Sequence, residues 1–308
     1  MTKLPNNLGF QQDLFILAFD HRGSFQSKLF GVKGTPTPEE TKLIASYKTL
    51  VWEGFQKAIQ LGVPKSKAGV LCDEQFGTFV LNEAPKFGAM SACPAEKSGQ
   101  DEFDFEFGKE FGAHIHKFNP TFVKVLVRMN TEGDSEMNMR QAARLKALSE
   151  YCHEHSRKYL FELLVPATPA QLAKCGGDSK KFDKEMRPKL MVDAIRELQK
   201  AGVEPDIWKL EGMETVEDCK LVAKQCLIDG RDKVGVVLLG RGENEEKVRH
   251  WLTEAAKVPA FIGFAVGRTI FWEPLKNFKE GKFTREQARD QIATSYKGFC
   301  DVWMKARA

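Results

Sequence analysis

The chain has 308 residues, 42% of them apolar and 29% charged, with a formal net charge of +4 and basic residues interspersed among acids, so nothing resembles a cationic nucleic-acid-binding arm. No segment approaches the run of about 20 apolar residues that crosses a bilayer, and the N-terminal MTKLPNNLGFQQ lacks the apolar core of a secretion signal. Seven scattered cysteines without a CxxC pair complete the expectation of a reduced, cytoplasmic protein, with no membrane or nucleic-acid partner, that handles a small phosphorylated or carboxylated molecule.

The first apolar run, FILAFD (15–20), precedes a long amphipathic stretch, EETKLIASYKTLVWEGFQKAIQLG. AGVLCDEQ (68–75) and AMSACPAE (89–96) come next, separated by TFVLNEAPKFG, an interval short for a full helix. DEFDFEFGKEF alternates acids with phenylalanines, and it reads as the start of a helix whose aromatics pack inward. FVKVLVRMN (122–130), YLFELLVP (159–166), PDIWKLEG (205–212), VGVVLLGRG (234–242) and FIGFAVGRT (261–269) follow. Between them, MRQAARLKALSEYCHEHSRK, MVDAIRELQKAG and NEEKVRHWLTEAAK have apolar residues at helical spacing, and several helical stretches stop at glycine (Gly62, Gly202, Gly230). Eight strands alternating with helices require parallel pairing, and the length suits one (β/α)8 TIM barrel, typically about 250 residues, spanning 1–308 as a single domain. A doubly wound open sheet is the alternative, but no GxGxxG follows the first strand.

Barrel enzymes place catalytic groups where strands end and βα loops begin. Those positions hold Asp20, His21 and Arg22 after the first strand, Asp73 and Glu74 after the second, Glu96 and Lys97 after the third, and Lys209, Glu211, Arg241 and Arg268 further on. Alternation along the strands adds direction. Val123, Val125 and Val127 form a face suited to the outer helices, which turns Lys124 toward the interior; Glu162 shares a face with Leu160 and Leu164, and Lys209 with Ile207 and Glu211. Three neighbouring strands therefore each project one ionisable group inward. Buried charges must pair or shift their pKa, and a lysine crowded by another cation moves toward the neutral amine that attacks a carbonyl. Glu162 is then the candidate proton carrier. Glu211, nearer the loop, is expected at the rim, orienting or pairing with Lys209.

Gly240, Arg241 and Gly242, and then Gly267 and Arg268, precede helical sequence at the ends of strands seven and eight, where glycine backbone, a helix N-terminus and arginine suit a phosphate. His114 and His116, like His153 and His155, are spaced i,i+2 and fall on different helix faces, so no metal site is expected from them. Cys72 and Cys93 read as small core residues. Two other functions compete: a barrel that stabilises an enolate with a divalent metal through Asp73, Glu74 or Glu162, and a non-catalytic sugar-phosphate sensor.

Taken together, FILAFDHRG, LCDEQFG, FVKVLV, FELL, WKLEG, GRG and GFAVGRTIFWEPL, from Phe15 to Leu275, resemble the 2-deoxy-5-keto-gluconate 6-phosphate aldolase domain that is fused behind a sugar kinase in bacterial inositol catabolism. The pattern is more distantly similar to class I tagatose 1,6-bisphosphate aldolase. The resemblance implies a cofactor-free aldolase acting on a phosphorylated keto sugar, standing without the kinase half and compatible with a homo-oligomer. It implies Lys209 as the Schiff-base lysine, Glu162 as acid/base, Lys124 as cationic neighbour, and Asp20 and Arg22 as contacts to substrate hydroxyls and an anionic group. His21, Asp73 and Glu211 are the further substrate-binding candidates, and Gly240, Arg241, Gly267 and Arg268 would hold phosphate. His21 departs from the glutamine expected in the tagatose enzymes.

Overall fold

A computed structural model describes residues 4–308. β1 (Leu14–Ala18), β2 (Ala68–Leu71), β3 (Met90–Pro94), β4 (Phe122–Arg128), β5 (Lys158–Leu164), β6 (Ile207–Glu211), β7 (Gly235–Leu239) and β8 (Phe261–Val266) pair in chain order, all parallel. β8 closes on β1 through the register Leu14↔Gly263 to Leu17↔Val266, giving a (β/α)8 barrel. Gly263 is required there: at φ 153° its backbone passes so close to β1 that a Cβ would lie 1.9 Å from the Leu14 carbonyl oxygen.

Surrounding the barrel are α1 (Pro38–Gln60), α2 (Glu74–Phe87), α3 (Phe111–Phe118), α4 (Ser135–Glu154), α5 (Pro169–Lys174), α6 (Ser179–Glu185), α7 (Arg187–Lys200), α8 (Val216–Leu227), α9 (Glu245–Ala256), α10 (Arg268–Lys279) and α11 (Arg285–Arg307). Many start where a short polar side chain bonds the first turn. Thr37, Thr168 and Thr284 form capping boxes with Glu40, Gln171 and Gln287, and Asp73, Asp134, Thr215 and Asn244 accept from the first turns of their helices. The outward faces of the strands, including Val123, Val125 and Val127, join the helices in one continuous apolar layer. The smaller interior core, with Leu14, Ile16, Phe122, Leu160 and Ile207, fills the barrel below its C-terminal mouth.

Three local readings change. β2 ends at Leu71 and α2 begins at Glu74, so the helix takes residues assigned above to a strand and fits the short interval. Only the end of DEFDFEFGKEF is helical: Asp104 Oδ1 accepts the Phe105 N–H, Phe105 forms an antiparallel bridge with Glu96, and a single 3-10 turn over Gly108–Glu110 leads into α3 at Phe111. The aromatics do pack inward, with Phe103 buried and Phe105 stacked on Phe111. The connection from β5 to β6 also carries two short helices, α5 and α6, ahead of α7. Among the described residues no helix is long and apolar enough to cross a membrane.

Candidate active site

Parallel register sets the geometry at the mouth. Leu126 on β4 is level with Glu162 on β5, and Glu162 is level with Lys209 on β6, so Lys124, Glu162 and Lys209 point inward at adjoining heights. Glu162 Oε2 lies 2.8 Å from Lys209 Nζ and 3.1 Å from Lys124 Nζ. Lys124 Nζ also donates to Asp20 Oδ2 at 2.8 Å and to Glu96 Oε1 at 2.7 Å. One ammonium thus meets three carboxylates, and a single glutamate joins it to the second lysine. These side chains line a cavity of about 740 Å³ at the C-terminal end of the barrel.

Burial alone would neutralise Lys124, but Asp20, Glu162 and Glu96 outweigh it and push its pKa well above the ordinary lysine value. The expectation that cationic crowding drives a lysine here toward the free amine therefore does not hold for Lys124, which is fixed as an ammonium by its carboxylates. Burial likewise opposes ionisation of Asp20 and Glu162, yet Lys124 and then Lys209 hold both carboxyls below their usual range. Glu96 behaves differently: burial raises its pKa despite Lys124 and Arg22.

A second layer sits toward the loops. Glu211 is buried rather than on the rim, and its partners are arginines: Oε1 is 3.1 Å from Arg241 Nε, Oε2 is 3.4 Å from Arg187 Nε, and Oε2 accepts the Val165 N–H at 2.8 Å. Burial raises its pKa against the pull of Arg187 and Arg241. Asp183 on α6 bridges the same two arginines, accepting from Arg241 Nη1 at 2.6 Å and bonding Arg187 Nη2. Arg187 lines the cavity from the start of α7, with burial lowering its pKa to about 10. Arg241 takes the left-handed φ of 51°, and Arg268 Nη2 donates to its carbonyl at 2.9 Å. Gly240, Gly267 and Arg268 line the same cavity, and Gly267 sits at the N-cap of α10, which has no side-chain cap. Gly267 has a packing reason as well, since a Cβ would meet the Ala18 carbonyl at 1.9 Å.

The loop after β1 supplies Arg22, whose Nη1 donates to Glu106 Oε2 at 3.0 Å and Nη2 to the Glu96 carbonyl at 2.7 Å. His21 lines the cavity beside Gly267. Burial, with Arg268 and the lysines against Asp20, lowers its pKa to about 4, so the ring is neutral at physiological pH. Asp73 is a correction. It is 0% exposed, caps α2 through the Phe76 N–H, pairs with the equally buried Lys48 and is not among the residues lining the cavity. Lys48 in turn donates to the His21 carbonyl at 3.1 Å. Glu74 faces His114 and Lys117, both at 2.7 Å, so Asp73, Glu74 and Glu162 do not converge on a common point. Among the described residues no group of three or more His, Cys, Asp or Glu side chains is arranged to hold a metal ion.

Sequence reasoning named Glu96 without giving it a role, and passed over Arg187, Asp183 and Lys48. Glu96 was visible as a polar strand end; the others lie on helices, where only the fold brings them to the barrel. A groove of about 790 Å³ outside the mouth, along α10 and α11, shares Ser24, Gly242 and Arg268 with the cavity but holds neither Lys124, Lys209 nor their carboxylates, so the row of ionisable groups belongs to the inner cavity.

The architecture is similar to a fructose-bisphosphate aldolase from Plasmodium falciparum, solved in complex with TRAP and a small-molecule inhibitor, with TM-score 0.67 and 15% sequence identity over 95% of this chain and 91% of that one. At that identity the likeness establishes the shared barrel fold. Among curated proteins none matches the chain. A family model described as "Uncharacterized protein conserved in bacteria (DUF2090)" matches residues 5–307, and with nearly the whole length covered, the chain belongs to the DUF2090 family.

Proposed function

We propose that the protein is a cytoplasmic class I aldolase that cleaves a phosphorylated keto sugar acid, with 2-deoxy-5-keto-gluconate 6-phosphate as its substrate and dihydroxyacetone phosphate and malonic semialdehyde as products. The observation that carries this reading is the Lys124–Glu162–Lys209 row, in which one carboxylate oxygen lies within 3.1 Å of both ammonium groups inside the cavity. Lys124 remains charged and keeps Glu162 ionised in the resting site, and Glu162 then accepts the proton that Lys209 must lose before attacking the substrate ketone. Dehydration of the carbinolamine gives an iminium. Removal of the proton from the hydroxyl two carbons away then breaks the carbon–carbon bond, with the iminium accepting the electron pair as an enamine. Protonation of that carbon and hydrolysis free the ketone product. Arg241, Arg268 and the open start of α10 suit the phosphate, which would hold the ketone beside Lys209. Asp20 orients Lys124 and faces the substrate hydroxyls.

The test is product formation. Incubation with 2-deoxy-5-keto-gluconate 6-phosphate should release dihydroxyacetone phosphate, and Lys209→Met should lower turnover by roughly 10³-fold or more. Cleavage of tagatose 1,6-bisphosphate in its place would reassign the substrate within the same chemistry. Tight binding of these sugar phosphates without turnover would instead make the protein a sensor.

A further inference from the structure

Three carboxylates surround Lys124, but they are not equivalent. Glu96 Oε1 accepts from Lys124, and Glu96 Oε2 is buried with no hydrogen-bond partner among the described residues. A buried, unpartnered anionic oxygen is expensive, and a proton on it removes the cost. The backbone on either side is pinned, because the Glu96 carbonyl accepts from Arg22 Nη2 at 2.7 Å and residue 96 bridges Phe105. The side chain is therefore held beside Lys124 on the wall of the cavity that Glu162 and Lys209 also line.

We propose that Glu96 is a catalytic residue: a resident carboxylic acid that protonates the enamine carbon after bond cleavage, with Lys124 returning the proton from Glu162. The directions of the pKa shifts agree, since burial raises Glu96 while Asp20 and Glu162 are held ionised by the lysines. Groups in one site whose environments push them apart divide into acid and base. This inference rests on the imine chemistry proposed above.

The protons balance. Glu162 takes the hydroxyl proton as the carbon–carbon bond breaks, the bonding electrons pass into the iminium, and the aldehyde leaves. Glu96 then gives its proton to the enamine carbon, whose electrons form the new C–H bond and regenerate the iminium. Glu162 is now protonated and Glu96 charged. Lys124 donates across 2.7 Å to Glu96 and recovers a proton from Glu162 across 3.1 Å. In the reverse direction the same relay parks the proton on Glu162 and frees Glu96 to remove one from carbon.

Dihydroxyacetone phosphate in deuterated water separates the steps. The wild-type protein should exchange the carbon-bound hydrogen next to the ketone and should give a borohydride-reduced adduct on Lys209. Glu96→Gln should keep the adduct and lose exchange by roughly 10²-fold or more, the scale of a removed acid/base group. An adduct in both proteins with undiminished exchange in the variant overturns the assignment of Glu96 alone. Absence of the adduct from the wild type overturns the imine reading and this proposal with it. If Glu96→Gln does not fold, Glu96→Asp serves, since it keeps a carboxyl group at this position. It should slow exchange more than adduct formation, and equal slowing of both overturns the assignment.

Discussion

Whether a lysine in a barrel wall is nucleophile or fixture depends on the charges that meet it. Lys124 faces Asp20, Glu96 and Glu162 and is held as an ammonium, whereas Lys209 has Glu162 as its carboxylate neighbour, 2.8 Å away. Strand alternation made the inward direction of both residues legible, because the period of two follows from the backbone. Their different surroundings were not legible, since Asp20 and Glu96 arrive from strands distant in sequence. His21 yields a test at this scale. Its pKa falls from 6.5 to about 4 on folding, so the unfolded chain binds a proton that the native ring refuses, and stability is lost as pH falls through that window. The loss is on the order of 2 kcal/mol, somewhat under the full value of the shift because the ring borders the cavity. Urea denaturation from pH 7 to 4 should show a flatter stability profile for His21→Gln than for the wild type; parallel profiles would show that the ring is not held neutral.

At the scale of elements, helix starts were marked by residues whose effect is local, such as the Thr37–Glu40 and Thr284–Gln287 boxes, and the amphipathic stretches were correspondingly readable. Segments governed by tertiary contact were not. Phe103 and Phe105 leave the helical path because the loop after β3 folds back on Glu96, and α5 and α6 are too short to leave a periodic trace. The shortest of these elements touch the site. Asp183 of α6 occupies Arg241 Nη1, one of the donors a phosphate would use. Asp183→Asn should therefore strengthen binding of inorganic phosphate by roughly 5-fold, equivalent to about 1 kcal/mol for a partly exposed ion pair, as read by calorimetry at low ionic strength. Weaker binding would mean that Asp183 positions Arg241 rather than competing for it.

For the molecule as a whole, closure of eight parallel strands gathers Asp20, Glu96, Lys124, Glu162, Lys209, Arg241 and Arg268 at one end, although they are spread over most of the chain. The strand count and the polar strand ends made that end readable in advance, while Asp73, equally placed in sequence, is drawn beneath it by Lys48 on α1, a contact no local pattern announces. Under the proposed function, Lys209 forms a covalent imine with a phosphorylated ketone. Borohydride reduction with dihydroxyacetone phosphate, followed by peptide mass mapping, tests it most directly. A single reduced adduct on Lys209 is expected, and it should disappear in Lys209→Met. Cleavage activity with no adduct, or an adduct on Lys124 in its place, would contradict it.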